Sequence, residues 1–137
     1  MKFNKLIPEL SVSTIQNSLE FYMDILGFTL EYQREESKFA MISLEGNQLM
    51  IEEINETWGV GLLEHPFGRG INLQMYVQGV HTFYRRVKDS RYPIFADIKD
   101  NWYRQENCLV GNREFLIQDP DGYMLRFAEY LGTKPVE

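Results

Sequence analysis

With one cysteine, Cys108, the 137-residue sequence has no means of building an intramolecular disulfide framework, and a lone thiol suits a reducing compartment such as the cytoplasm. Long apolar runs are missing too, since none approaches the ~18 residues that a membrane helix needs. No apolar signal core follows Met1-Lys2-Phe3-Asn4-Lys5. The expectation is a soluble protein with no membrane partner. Basic residues are outnumbered, 14 Lys and Arg against 20 Asp and Glu, and a net charge of −6 makes nucleic acid a poor partner. Histidine is scarce as well: His65 falls in an irregular stretch and His81 near the start of a helix, and neither position helps to ligate a metal. No glycine-rich phosphate cradle, G-x-S-x-G, H-E-x-x-H or C-x-x-C pattern occurs. Glu52 and Glu53 are strand neighbours on opposite faces, so they cannot serve as a facing acid–base pair.

What the chain does have is apolar and aromatic content, 44% and 14%, enough for a folded interior in one domain. The clearest local signal lies at residues 115–130. Residues 115–118 are short, apolar and β-prone, and Asp119-Pro120-Asp121-Gly122 supplies turn chemistry at every position. Residues 123–130 read as the returning strand of a hairpin. Residues 39–52 repeat this layout around Gly46. Each hairpin closes a segment that opens with a strand and a helix, so the chain reads as two copies of one module.

In the first copy, residues 3–12 read as a strand that tolerates Pro8 at an edge or bulge. Ser13 and Gln16 then fit a capping box, and Ile15, Leu19, Tyr22, Met23 and Leu26 form a helical stripe stopped by Gly27. Residues 28–34, 39–44 and 48–54 are strands. Residues 55–69 form the one long irregular segment, a linker that can cover a site. In the second copy, residues 71–77 form a strand, Val80, Phe83, Tyr84 and Val87 mark a helix, and residues 92–98 and 102–110 lead into the closing hairpin. The expected organisation is a single domain over residues 1–137, with modules at 1–68 and 69–131 and a loose tail at 132–137. Charge divides unevenly: residues 1–68 hold 4 basic and 11 acidic groups, residues 69–137 hold 10 and 9. The first module is therefore either a solvated acidic face or a site that favours a cation.

The chain resembles the vicinal oxygen chelate superfamily, which includes glyoxalase I, fosfomycin-resistance transferases, extradiol dioxygenases and bleomycin-resistance proteins. The residues that carry the resemblance are Ser18-Leu19-Glu20-Phe21-Tyr22 with Leu26-Gly27-Phe28, and Arg113-Glu114-Phe115 with Asp119-Pro120-Asp121-Gly122. Arg-Glu-Phe followed by Asp-Pro after three residues is most similar to the bleomycin-resistance branch. The resemblance implies an α+β fold of two tandem βαβββ modules, whose curved mixed sheets form a cleft, in a homodimer. It does not settle function, because this fold hosts catalysts and pure binders.

In the enzymes of that superfamily a divalent metal takes its ligands from the first and last strands of the modules. Counting from Val12, Val77, Gly46 and Gly122 gives Ile7, Met50, Asn72 and Arg126 as the matching positions. Ile7 offers no donor, Met50 only a soft thioether, Asn72 one weak carbonyl, and Arg126 a permanent cation. A shift of two residues offers Glu9, Glu52 and Asn72 as a fallback set for a divalent metal. Trp58 and Phe67 in the linker, with Trp102 and Tyr103, offer flat faces for a planar ligand, or else plug sheet ends or the dimer contact. Phe39 completes this aromatic set. Arg126 either pairs with a carboxylate such as Glu52 or Glu9, or grips an anionic ligand group. The favoured expectation is a metal-independent, antibiotic- or bleomycin-binding protein with no cofactor, its ligand planar and cationic, and with Trp102, Trp58, Phe67, Asn72, Arg126, Glu52, Tyr103 and Phe39 as the ligand-binding set. The alternative is a divalent-metal-dependent enzyme of glyoxalase, dioxygenase or thiol-transferase type.

Overall fold

The computed structural model describes residues 1–57 and 59–137. The chain divides into two compact units, Met1–Arg69 with Asp119–Tyr123, and Gly70–Gln118 with Met124–Glu137. Among the described residues, no helix is long and apolar enough to cross a membrane.

The first unit is built from β1 (Glu9–Val12), α1 (Ile15–Leu19), a π-helical turn (Glu20–Ile25), β2 (Thr29–Arg34), β3 (Phe39–Leu44) and β4 (Asn47–Glu53). Its sheet runs β1-β4-β3-β2, with β1 parallel to β4 and the other pairs antiparallel. One face carries Leu10, Val12, Ala40, Ile42, Leu49 and Ile51, all buried, and α1 packs on β4. Each of these burials other than that of Ala40 contributes roughly 1.5–3 kcal/mol. The helical stripe departs from a 3.6-residue repeat. Leu26 donates to the carbonyl of Phe21 at 3.1 Å, a bond that spans five residues and widens the turn. Ser18, Phe21, Tyr22 and Leu26 are buried as a result, and Leu19 and Met23 sit at the margin.

The expected capping box does not form, because partners from distant parts of the chain take its place. The Ile15 amide donates to Glu53 Oε1 at 3.0 Å, the Ser13 amide donates to Asp121 Oδ2 at 3.0 Å, and Gln16 turns to Glu20 instead. β1 begins only after Pro8, which has no amide to donate to the ladder but whose carbonyl accepts from Met50 at 2.9 Å.

The second unit repeats the plan with β5 (Asn72–Tyr76), α2 (Val80–Asp89), β6 (Ala96–Gln105), β7 (Cys108–Gln118) and β8 (Met124–Pro135), in sheet order β5-β8-β7-β6. α2 packs on β7 and β8 through an aromatic cluster: Phe83 lies 4.6 Å from Phe127 and 6.0 Å from Phe115, and Tyr84 lies 5.2 Å from Phe115 between ring centroids. Two expectations change here. The strand placed at residues 92–98 starts at Ala96, past Pro93, and runs on through Trp102 to Gln105. The tail placed at 132–137 is instead strand as far as Pro135, because Gly132, Thr133, Lys134 and Pro135 pair with Gly111, Val110, Leu109 and Cys108. With these changes the α+β fold of two βαβββ modules, each with a mixed sheet, is the observed one.

The β7–β8 turn forms as its sequence requires. Asp119 Oδ1 accepts from the amides of Asp121 at 2.9 Å and Tyr123 at 3.0 Å, and Gly122 has φ +100°. A Cβ at Gly122 would lie 2.5 Å from Pro66. Asp119 is also held by Tyr22 Oη at 2.8 Å, and Tyr123 Oη donates to the Ser11 carbonyl at 2.8 Å.

Candidate functional site

In each sheet the face away from the helix carries polar side chains, alongside the buried Phe39 and Met41 in the first unit. Cross-strand partners share a face, so Glu9 opposite Met50, and Ser11 and Phe39 opposite Glu52, belong together in the first unit. Arg34, the partner of Phe39 on β2, lays its guanidinium 3.9 Å from that ring's centroid. A cavity of about 660 Å³ opens here, lined among others by Glu9, Glu52, Glu53, Arg34 and Lys38. Burial first, then the charge of Glu52, pushes the Glu9 carboxyl above its ordinary value, and Arg34 pulls it back. Glu52 Oε1 accepts from Asn55 Nδ2 at 2.9 Å, and Glu53 binds Lys38 at 2.9 Å. Four carboxylates, counting Glu36, against Arg34 and Lys38 leave this lining acidic.

In the second unit the corresponding face holds Gln74, Tyr76, Arg126, Asn112 and Glu114, with Asn101 and Tyr103 on β6. Glu114 is 2% exposed, and its Oε1 accepts hydrogen bonds from Tyr103 Oη and from Asn101 Nδ2 at 2.8 Å. Burial, then the bond to Glu114, raises the Tyr103 phenol above its ordinary value and keeps it a donor. Arg126 binds Gln74 through Nη2, and its Nε lies 3.8 Å from Glu114 Oε2. Neither of those two atoms has a hydrogen-bond partner, an arrangement that costs about 1–3 kcal/mol per buried group. Arg126 therefore pairs with Glu114 and not with the expected Glu52 or Glu9. Arg113, next to Glu114 in sequence, points the other way and binds Asp100 at 2.7 Å.

The structure brings only part of the expected ligand set together. Met50 and Glu52 share a face with Phe39, and Arg126 shares one with Tyr103. Ile7 precedes β1 and has no partner in the ladder, so the direct neighbour of Met50 is Glu9. The direct neighbour of Arg126 is Gln74, while Asn72 pairs with Met124. Phe67, 7% exposed, is packing material in the first unit: its ring meets Tyr123 edge-on at 5.9 Å and its amide binds the Asp121 carbonyl. Trp102 lies on the α2 side of β6, opposite Tyr103. It packs against Gly111, where a Cβ would come within 2.6 Å of its ring, and Lys134 Nζ sits 4.1 Å from the ring centroid. Trp58 lies outside the described residues. Several contributors escaped the sequence reading, among them Arg34, Gln74, Asn101, Asn112 and Glu114. Gln74 was legible from the period of two that separates it from Asn72, and Arg34 needed the β2–β3 register.

The enzymes of this fold use a divalent metal, and the donor set here does not suit one. Among the described residues no group of three His, Cys, Asp or Glu converges. The fallback carboxylates Glu9 and Glu52 face Arg34, and Asn72 lies in the other unit. Among the described residues, two carboxylates without a third convergent donor are too few to hold such an ion.

Residues 6–127 match the model of a family described as the Glyoxalase/Bleomycin resistance protein/Dioxygenase superfamily. A bleomycin resistance protein of Geobacillus stearothermophilus is 26% identical over 136 residues, covering 91% of this chain and 96% of its own. A lactoylglutathione lyase of Haemophilus influenzae is 26% identical over 132 residues, with 91% of each chain covered. Among solved structures, TioX from Micromonospora sp. ML1 superposes with a TM-score of 0.74 at 17% identity, over 94% of this chain and 100% of that one, and so shares the fold. The paired βαβββ units and the match along most of the sequence lead to one statement: the chain belongs to the glyoxalase/bleomycin resistance protein/dioxygenase superfamily.

Proposed function

We propose that this protein binds and sequesters a small molecule, planar and cationic, of the bleomycin type, without metal chemistry. The observation that carries the reading is the acidic cavity of about 660 Å³ in the first unit, lined by Glu9, Glu36, Glu52 and Glu53. That volume lies within the ~300–1,000 Å³ usual for small-molecule sites. A carboxylate whose proton affinity is raised by burial and by a second carboxylate gains most from a ligand cation. The relatives named for bleomycin resistance support the choice of ligand class. Capture is stoichiometric in this reading, and the working form is a cytoplasmic homodimer.

The test is a calorimetric titration of metal-free bleomycin into the protein, with and without EDTA. Saturable binding at micromolar or tighter affinity, unchanged by EDTA, is the expected result. Binding that requires added metal, or stoichiometric metal retained through dialysis, would overturn the reading in favour of a metalloenzyme. No heat at tens of micromolar ligand would remove bleomycin from consideration.

A further inference from the structure

On the face of the second sheet that α2 leaves uncovered, three tyrosines surround a polar floor. Tyr76, Tyr103 and Tyr130 are 47%, 40% and 56% exposed. Alternation along β5, β6 and β8 puts them on the face of Arg126 and Glu114. The floor is incomplete. Glu114 is 2% exposed and fully engaged at Oε1, yet its Oε2 has no hydrogen bond. Arg126 Nε, 3.8 Å away, also has none, and at that distance the two atoms do not satisfy one another.

We infer that this surface takes a planar ligand by a primary carboxamide or lactam edge, received between Glu114 Oε2 and Arg126 Nε. The inference goes beyond the binding reading above, because it concerns the second unit and not the acidic cavity of the first. A carboxylate oxygen only accepts and a guanidinium nitrogen only donates, so the incoming group presents one donor and one acceptor side by side. An amide edge does so: with C=O and C–N lengths near 1.23 and 1.33 Å, its oxygen and nitrogen are about 2.2 Å apart. Two hydrogen bonds of about 2.9 Å then splay only slightly to reach atoms separated by 3.8 Å. A carboxylate would set its oxygens against Glu114, and an amine or amidine would set its hydrogens against Arg126. Both protein atoms are covered in the free chain. Arg126, its side chain 29% exposed and tied at Nη2 to Gln74, is the part that moves to admit the edge. The tyrosine rings flank the ligand plane.

Nicotinamide, nicotinate and 3-(aminomethyl)pyridine share a ring and differ in the headgroup. Each is titrated into ¹⁵N-labelled protein while the backbone signals of β5 to β8 are followed. Nicotinamide is expected to shift the signals around Glu114, Arg126 and Tyr130 saturably, with the other two at least about tenfold weaker. Tyr130→Ala, at an exposed position, should weaken nicotinamide by about fivefold. Glu114→Gln with Arg126→Met, which removes both charges together, should abolish the preference for nicotinamide over nicotinate. Equal binding of nicotinate, or shifts that map elsewhere, would overturn the inference. So would no response to nicotinamide from a protein that still binds bleomycin, an outcome that leaves the binding reading intact.

Discussion

Replacing Asp119 by asparagine should remove a pH-dependent part of the folding stability, and the sign of that part follows from the turn geometry. Asp119 is 3% exposed. Burial pushes its carboxyl from 3.8 up to about 6, against hydrogen bonds from Tyr22 Oη and the amides of Tyr123 and Asp121 that pull it down. In the unfolded chain it returns to its ordinary value. Between about pH 4 and 6, then, the folded protein holds a proton that the unfolded chain has lost, so stability contributed at low pH falls as pH rises and levels off above about 6. Slightly more than two pKa units correspond to about 3 kcal/mol. The side-chain amide introduced by Asp119→Asn keeps an oxygen for the two backbone amides and asks Tyr22 Oη to accept where it had donated, an offset that does not vary with pH. Urea unfolding of both proteins from pH 4 to 7.5 gives the difference in stability, in which the other carboxylates cancel. The difference should fall by about 2–3 kcal/mol across the window. A flat difference, or one that grows with pH, would mean that three hydrogen bonds outweigh burial, and the reasoning would be refuted.

Two glycines separate backbone strain from collision. Gly122→Ala meets both a φ of +100° and a Cβ 2.5 Å from Pro66, and should lower the unfolding free energy by about 2–4 kcal/mol, whereas Gly46→Ala, with φ +86° and open space around it, should cost only about 1–2. Equal losses in urea titrations would show that Pro66 yields freely. Glu52→Gln should weaken bleomycin about three- to tenfold at low salt and less at high salt, with little change in the urea midpoint. An affinity independent of residue 52 and of salt would place the ligand away from the acidic cavity.

Much of the fold was legible because its signals are local. Asp119-Pro120-Asp121-Gly122 dictates a turn whatever surrounds it, and the run from Phe39 to Leu44 is apolar enough to mark a strand against the interior. What escaped depended on partners far along the chain. The start of α1 reads as a capping box, yet its amides are taken by Glu53 and Asp121, which no local pattern announces. The π-helical turn adds Phe21 to the expected Tyr22 in the core and leaves Leu19 and Met23, which a 3.6-residue stripe also chooses, at the margin. Glu114 follows Arg113 in sequence with nothing to mark which is buried, although alternation back from Phe115 separates them. Trp102 was read as a ligand platform because aromatic residues in a stretch without clear periodicity look available. The β6–β7 register instead gives it Gly111 to pack on.

The turn between β7 and β8 also fixes an order of events. Asp121 holds Ser13 across 108 residues of sequence, and Tyr123 reaches Ser11 across 112. A chain emerging from the ribosome therefore presents its first helix long before the carboxylate that ties down its entrance has been made. The earliest-synthesised unit is completed by one of the latest turns, so its assembly waits on contacts of high sequence separation, which are slow to close. Until then Tyr22 and Phe67 lack the residues they pack against, and a polypeptide stopped at Arg69 carries that unfinished interior with it.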